Sequence, residues 1–244
     1  MDHLRSVAGL MLVLLATSCS DDRPTLYQSA SEGKLAQVQQ LLAEGADIDE
    51  RPPGGFTPLH ASIIHHHAKV TRYLIDRGAD VNVAAVYGVT SLHLAVDADT
   101  VRRLLEKGAR VDAWSETRGT PLHAAVDGNS TEAVRLLLES GARPDSGDVN
   151  GSTPLHHAAG NGRADVVAML VTWGASVDFV NAQGYTPLHW AAGNGHADVV
   201  AFLIDSGADR AVKSATGLTP YELARTKGRA GVARMLAIEA QGAS

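Results

Sequence analysis

Eleven histidines and a single cysteine are the residues of this 244-residue chain best suited to chemistry. Five of the imidazoles recur at a near-constant interval, at His60, His93, His123, His156 and His189. A ladder of histidines invites a metal reading, but equivalent positions on stacked helices lie about 8 to 10 Å apart, whereas the ligands of one zinc each lie about 2 Å from it. These five cannot share an ion. Each is expected instead to hydrogen-bond back toward the threonine three residues before it and toward nearby loop backbone, as a capping residue does. His65, His66 and His67 form a second group. Consecutive helical residues point in different directions, so only a turn brings three such rings together. They are either a solvated polar turn or a small cluster able to hold a metal or to titrate near pH 6.5. Serine and aspartate recur only where the repeat dictates, and the chain has no glycine-rich phosphate loop, nucleophile elbow or HExxH motif. No catalytic residue is assigned, no enzyme is expected, and no cofactor is implied.

The lone Cys19 has no internal disulfide partner and cannot build a zinc finger by itself. It follows an uncharged run of eleven residues, Val7 to Thr17, too short to span a bilayer, which takes about 20. That run has the length of the apolar region of a secretory signal, with small residues on its far side. Leu15-Ala16-Thr17-Ser18-Cys19 resembles a bacterial lipobox. The resemblance implies a signal peptide over 1–18, a lipid-bearing Cys19 as mature N-terminus, and a short tether over 19–23. Several acyl chains would hold such a protein on a membrane almost permanently. Ser20 after the cysteine implies the periplasmic face of the outer membrane in a bacterial envelope. The alternatives are a plain signal peptide or an uncleaved anchor, and a periplasmic or secreted protein.

The elements that carry the histidines are one unit repeated. Thr-Pro-Leu-His stands at Thr57, Thr120, Thr153 and Thr186, with Thr-Ser-Leu-His at Thr90 and Thr-Pro-Tyr-Glu at Thr219. Successive threonines are 33 residues apart, except between Thr90 and Thr120, and a degenerate unit lies one period upstream of Thr57. Seven units result, over 24–56, 57–89, 90–119, 120–152, 153–185, 186–218 and 219–244. In each, threonine is an N-cap and proline takes the first helical position, where its missing N–H costs nothing. Asn161-Gly162 ends the inner helix of the fifth unit after about two turns. Ala164 to Val171 follows as an outer helix with Val167, Leu170 and Val171 on one face. The third unit lacks the residues of its interhelix turn, so a shortened turn is expected there.

A fixed 33-residue period with T-P-L-H-x-A is similar to the ankyrin repeat, and the resemblance covers 24–244. It implies an all-α fold, an ankyrin-repeat solenoid of about seven helix-turn-helix units with β-hairpin-like fingers. A lone helix pair cannot bury its apolar stripe, so the units must stack, with polar caps at both ends. Unit 1 carries Gln28, Gln37, Gln39 and Gln40, and unit 7 carries Arg225, Lys227, Arg229 and Arg234.

Ankyrin-repeat proteins generally bind partners through their inner-helix face and finger tips. By helical spacing that face holds Ala61, Ile64, His65, Leu94, Ala124, Asp127, His157, Trp190, Asn194, Leu223, Thr226 and Lys227. Rigid aromatics at such places are interaction hot spots, which singles out Phe56, Tyr87, Trp114, His157, Tyr185 and Trp190. Net charge is -6, with +4 over 210–244 and -10 elsewhere. That balance gives no overall attraction to nucleic acid. A monomeric, non-enzymatic module binding a protein partner is expected, acting as inhibitor, immunity protein or stabiliser. The competing expectations are a metal- or pH-responsive protein using His65–His67 and a secreted effector acting on host proteins.

Overall fold

The structure is a computed structural model, and residues 23–237 are described. Cys19 and the signal-like segment lie outside them. Fourteen α-helices form seven antiparallel pairs among the described residues. The pairs are α1 Leu26–Ser31 with α2 Leu35–Ala43, α3 Pro58–Ile64 with α4 Ala68–Asp76, and α5 Ser91–Leu94 with α6 Ala98–Glu106. They continue with α7 Pro121–Asp127 and α8 Thr131–Glu139, α9 Pro154–Gly160 and α10 Ala164–Thr172, and α11 Pro187–Asn194 and α12 Ala197–Asp205. The last pair is α13 Pro220–Thr226 with α14 Ala230–Ala237. None of them is long and apolar enough to cross a membrane.

Each inner helix starts as its sequence dictates. The capping threonine has extended backbone, and its hydroxyl faces the backbone N–H three residues on. The histidine at that third position answers: its Nδ1 accepts the threonine N–H at 3.1 Å in all five units. Since Nδ1 accepts, the proton sits on Nε2, which donates to the carbonyl just before the next unit's threonine. Those carbonyls are Gly119, Ser152, Tyr185 and Leu218, at 2.9 to 3.1 Å. The histidine ladder is therefore a set of pins, each joining a helix start to the following finger. His60 is the exception, with Nε2 buried and unpartnered. Burial pushes the His60, His93, His123 and His156 imidazoles down to about 4, so they are neutral near pH 7.

The core runs the length of the stack. Leu59, Leu92, Leu122, Leu155 and Leu188, one per T-P-L-H motif or its Thr-Ser variant, are fully buried. Outer helices answer with Leu74, Leu104, Leu137, Leu170 and Leu203. Burying one such side chain contributes about 2 kcal/mol, and every layer is closed by the next one along. In α10 the buried stripe is Val166, Val167 and Leu170, with Val171 only partly covered. The end units are polar outside, with Gln39, Gln40, Arg225 and Arg234 exposed.

In the third unit the missing residues shorten the helix itself: α5 has four residues where α3 and α7 have seven. Ala95 leaves in an extended conformation, and Asp97 caps α6 by accepting the Thr100 N–H at 2.8 Å.

The fingers close as tight turns, with one isolated antiparallel bridge, Ser115 to Gly119, among the described residues. Neighbouring fingers share single backbone bonds, as from Ala182 N–H to Asn150 O and from Ala215 N–H to Gln183 O. A ladder of side chains on the other side of the finger base adds to this: Asp49, Asn82, Asp112, Asp145 and Asp178 each accept a backbone N–H of the following unit.

Candidate functional site

The inner helices line a groove whose shape follows from one packing rule. The side chain four places after a capping threonine lies against the residue seven places after the preceding one, thirty residues earlier. Thus His157 of α9 meets Asp127 of α7, Trp190 of α11 lies on Gly160 of α9, and Leu223 of α13 lies on Gly193 of α11. Gly160 is needed for the approach, since a β-carbon there would sit 2.6 Å from the indole Cε3, while one at Gly193 would lie 3.1 Å from Leu223 Cδ2 and press that side chain aside by a few tenths of an ångström. Where the fourth place holds alanine, a single methyl does not rise above its neighbours. Ala61 and Ala124 are accordingly buried in the groove floor, and Leu94 is covered as well.

His157 is the most constrained polar group on this face. Nδ1 donates to Asp127 at 3.0 Å and Nε2 to Asp148 at 3.3 Å, so both ring nitrogens carry hydrogen. Burial disfavours the charge, but bonds to the two carboxylates outweigh it and raise the imidazole to about 9. Asp148 is half-buried, yet His157 and the backbone N–H groups of Ser152 and Asn150 pull it down to about 2. The Trp190 ring stacks on the imidazolium at 5.6 Å with 28° between planes, a cation–π arrangement. His123 meets the His157 imidazole edge-on at 5.3 Å. The indole is half-buried, with the rest of its surface open.

Beyond Trp190 the groove deepens into a depression of about 380 Å³ lined by Tyr185, His189, Trp190, Gly193, Asn194, Leu223, Lys227 and Arg229. Tyr185 packs edge-on against His189 at 5.5 Å. His157, Tyr185 and Trp190 thus come together. The other expected contact residues do not join them. Phe56 leans edge-on against His60 at 5.7 Å near the other end of the stack. Tyr87 is 47 % exposed at a finger tip with φ of 60°. Trp114 is 48 % exposed, its Nε1 donates to Gly147 O at 3.3 Å, and it borders a separate hollow of about 350 Å³ with Asp112, Arg143 and Asp145.

Asp148 and Arg229 complete the groove, and spacing did not single them out. Asp148 occupies the finger place that Asn181 and Ser214 fill elsewhere, where a short polar side chain accepts turn N–H groups. In sequence it reads as a turn residue.

The His65–His67 group has a different geometry from the groove. His67 Nε2 donates to Ser31 O of the preceding unit, as His196 does to Gly160 O, both at 2.9 Å. His67 is thus a second kind of inter-unit pin. His66 takes the left-handed turn that Gly162 supplies in the fifth unit, with φ of 58° against 71°. His65 and His67 stack at 6.2 Å. Among the described residues no group of three His, Cys, Asp or Glu is placed to hold a metal ion.

The chain matches the family model described as ankyrin repeats three times, over 26–115, 99–181 and 173–244. It is similar to the human ASB11 ankyrin repeat domain, with a TM-score of 0.78 at 29 % identity, covering 88 % of this chain and 98 % of that one. The Bcl-3 ankyrin repeat domain gives 0.72 at 31 % identity, covering 88 % and 100 %. Human protein phosphatase 1 regulatory subunit 27 is 38 % identical over 68 residues, 28 % of this chain and 44 % of that protein. The chain spans less than half the length of the curated relatives it matches. Period, capping pattern, stacked helix pairs and these matches agree: the chain belongs to the ankyrin-repeat family.

Proposed function

We propose that the chain is a non-enzymatic, lipid-anchored module of a bacterial envelope that holds a periplasmic protein on its inner face as inhibitor, immunity protein or stabiliser. Ankyrin repeats imply a protein-interaction module, and the observation that supports this use of the groove is the His157–Trp190 stack. It presents a rigid, half-open indole on the inner-helix groove, the form that binding hot spots take. The lipobox-like segment ending at Cys19 supports the anchor and the compartment. Trp114 and Tyr87, exposed on the fingers, extend the contact surface beyond the groove.

Affinity capture from envelope extract with the chain from Cys19 onward tests the groove, beside a copy carrying Trp190→Ala and Tyr185→Ala. A protein recovered with the first and lost with the second supports the reading, and identical lists from both overturn it. Labelling with a radioactive fatty acid, compared with Cys19→Ala, tests the anchor. An unlabelled chain recovered from culture medium would overturn it in favour of secretion.

A further inference from the structure

We infer that the depression beside Trp190 is a subsite for an acidic, apolar-containing segment of the partner, an extended peptide whose apolar side chain enters between Tyr185, Trp190 and Leu223 while a neighbouring carboxylate meets Lys227 and Arg229. The inference rests on the binding-module reading and adds the chemistry of the ligand. Three observations carry it.

The first is shape. A hollow of about 380 Å³ lies at the small end of the range for ligand sites, and it is a widening of a groove. It fits one large side chain of a peptide running along the inner helices. The second is unmet charge. Lys227 and Arg229 are exposed on its rim, and no carboxylate among the described residues pairs with either. Arg229 is held in place all the same: its stem rests against Gly195, and Nε donates to Gly193 O at 3.2 Å. That leaves its outer nitrogens to form a fork for a carboxylate. Asn194 is also fixed, donating to Gly160 O at 2.8 Å, which leaves its own carbonyl oxygen to accept a peptide N–H.

The third is the field of the whole chain. Residues 210–244 carry six cations against two carboxylates, while the remainder has a net charge of -10. An acidic ligand is repelled along most of the solenoid and attracted at this end, which also sets the direction in which the peptide lies. A bilayer would meet the same cations, but a flat surface cannot reach the floor between Trp190 and Leu223.

The test uses three fluorescein-labelled nine-residue peptides in Gly-Ser spacers: one with phenylalanine followed by two glutamates, one with two lysines in their place, and one with alanine for phenylalanine. Anisotropy titration of the full chain should show the first binding at least tenfold tighter than either other. Lys227→Glu and Arg229→Glu should each weaken it tenfold or more, and rising salt should do the same. Both residues are exposed, and unchanged circular dichroism and melting confirm folded variants. Equal binding of the three peptides, no binding of the acidic one at millimolar concentration, or undiminished binding by both variants overturns the inference. So does Lys227-dependent capture by phosphatidylglycerol vesicles without peptide binding, which assigns the cations to a membrane. If envelope capture still yields a partner with Lys227→Glu and Arg229→Glu but loses it with Trp190→Ala, the subsite fails while the binding-module reading stands.

Discussion

The edge of the Trp190 indole occupies the space that a β-carbon on Gly160 would need, with Cε3 2.6 Å from that point. A helix pays for glycine at such a place, roughly 0.5 to 1 kcal/mol relative to alanine, so the groove gains its flat aromatic wall at the expense of α9. Gly160→Ala should therefore push the indole off His157 and expose it. The expected cost is about 1 to 3 kcal/mol in urea unfolding, with a red shift in tryptophan emission. In a Trp190→Ala background the same change should be neutral or mildly stabilising. Additive effects of the two substitutions would show that the contact is not what Gly160 serves.

The part of this arrangement that the repeat dictates was legible from the start. Thr153, Pro154 and His156 announce a capped helix by type and spacing alone, because the bonds that hold them span only three residues. The contact of Trp190 with Gly160 also follows a rule, but the rule spans thirty residues and shows only once stacking fixes which turn of one helix faces which turn of the next. Asp148 was illegible for another reason. Its bond to His157 depends on how far the finger tip curls over α9, and nothing in Gly147-Asp148-Val149-Asn150-Gly151 distinguishes that from an ordinary turn. Ala61 shows the converse error, in which helical spacing gives direction but not depth, and a methyl group pointing toward the groove is still covered.

His157 should titrate far above an ordinary histidine, at about 9, by NMR of its ring protons. The folded value exceeds the unfolded value near 6.5, so its contribution is complete below pH 6.5 and is lost as the pH rises toward 9. The loss is about 1.4 kcal/mol per pH unit in that window. Asp148→Asn removes one of the two carboxylates and should lower the histidine's value by a unit or more. An unshifted titration in the variant would mean that Asp127 alone holds the charge.

The buried pins behave oppositely. His93, His123 and His156 have folded values of about 4, below the unfolded one, so the unfolded chain takes up protons first as the medium is acidified. Their contribution is complete above pH 6.5 and is lost as the pH falls toward 4, by about 1.4 kcal/mol per unit for each imidazole. Urea unfolding at pH 7 and pH 5 should show a midpoint that falls steeply. His156→Gln and His123→Gln should each flatten that dependence while lowering stability at pH 7, since a buried carbonyl loses its donor.

The shortened α5 leaves the third unit with one helical turn of inner-helix contact on each side where other units have two. In a stack whose stability is a sum of unit and interface terms, a weak layer opens first. Amide hydrogen exchange should therefore be faster in Ser91–Leu94 than in Pro154–Gly160, although both begin with the same capping box. Equal protection would show that the stack unfolds as one cooperative block.

Finger spacing gives the last comparison. Gly184 and Gly174 both have left-handed backbone, with φ of 77° and 89°. A side chain at either position meets the strain that any L-residue meets there, roughly 1 kcal/mol. They differ in surroundings. A β-carbon at Gly174 has open space, whereas one at Gly184 would lie 2.5 Å from the Ala215 backbone nitrogen, the group that donates to Gln183 O and ties two fingers together. Main chain cannot swing aside as Trp190 can. Gly184→Ala should thus cost at least 1 kcal/mol more than Gly174→Ala, and should speed exchange at the Ala215 amide while leaving the α10 amides protected. Equal costs for the two would mean that the fingers adjust independently, and that the helices alone hold neighbouring units in register.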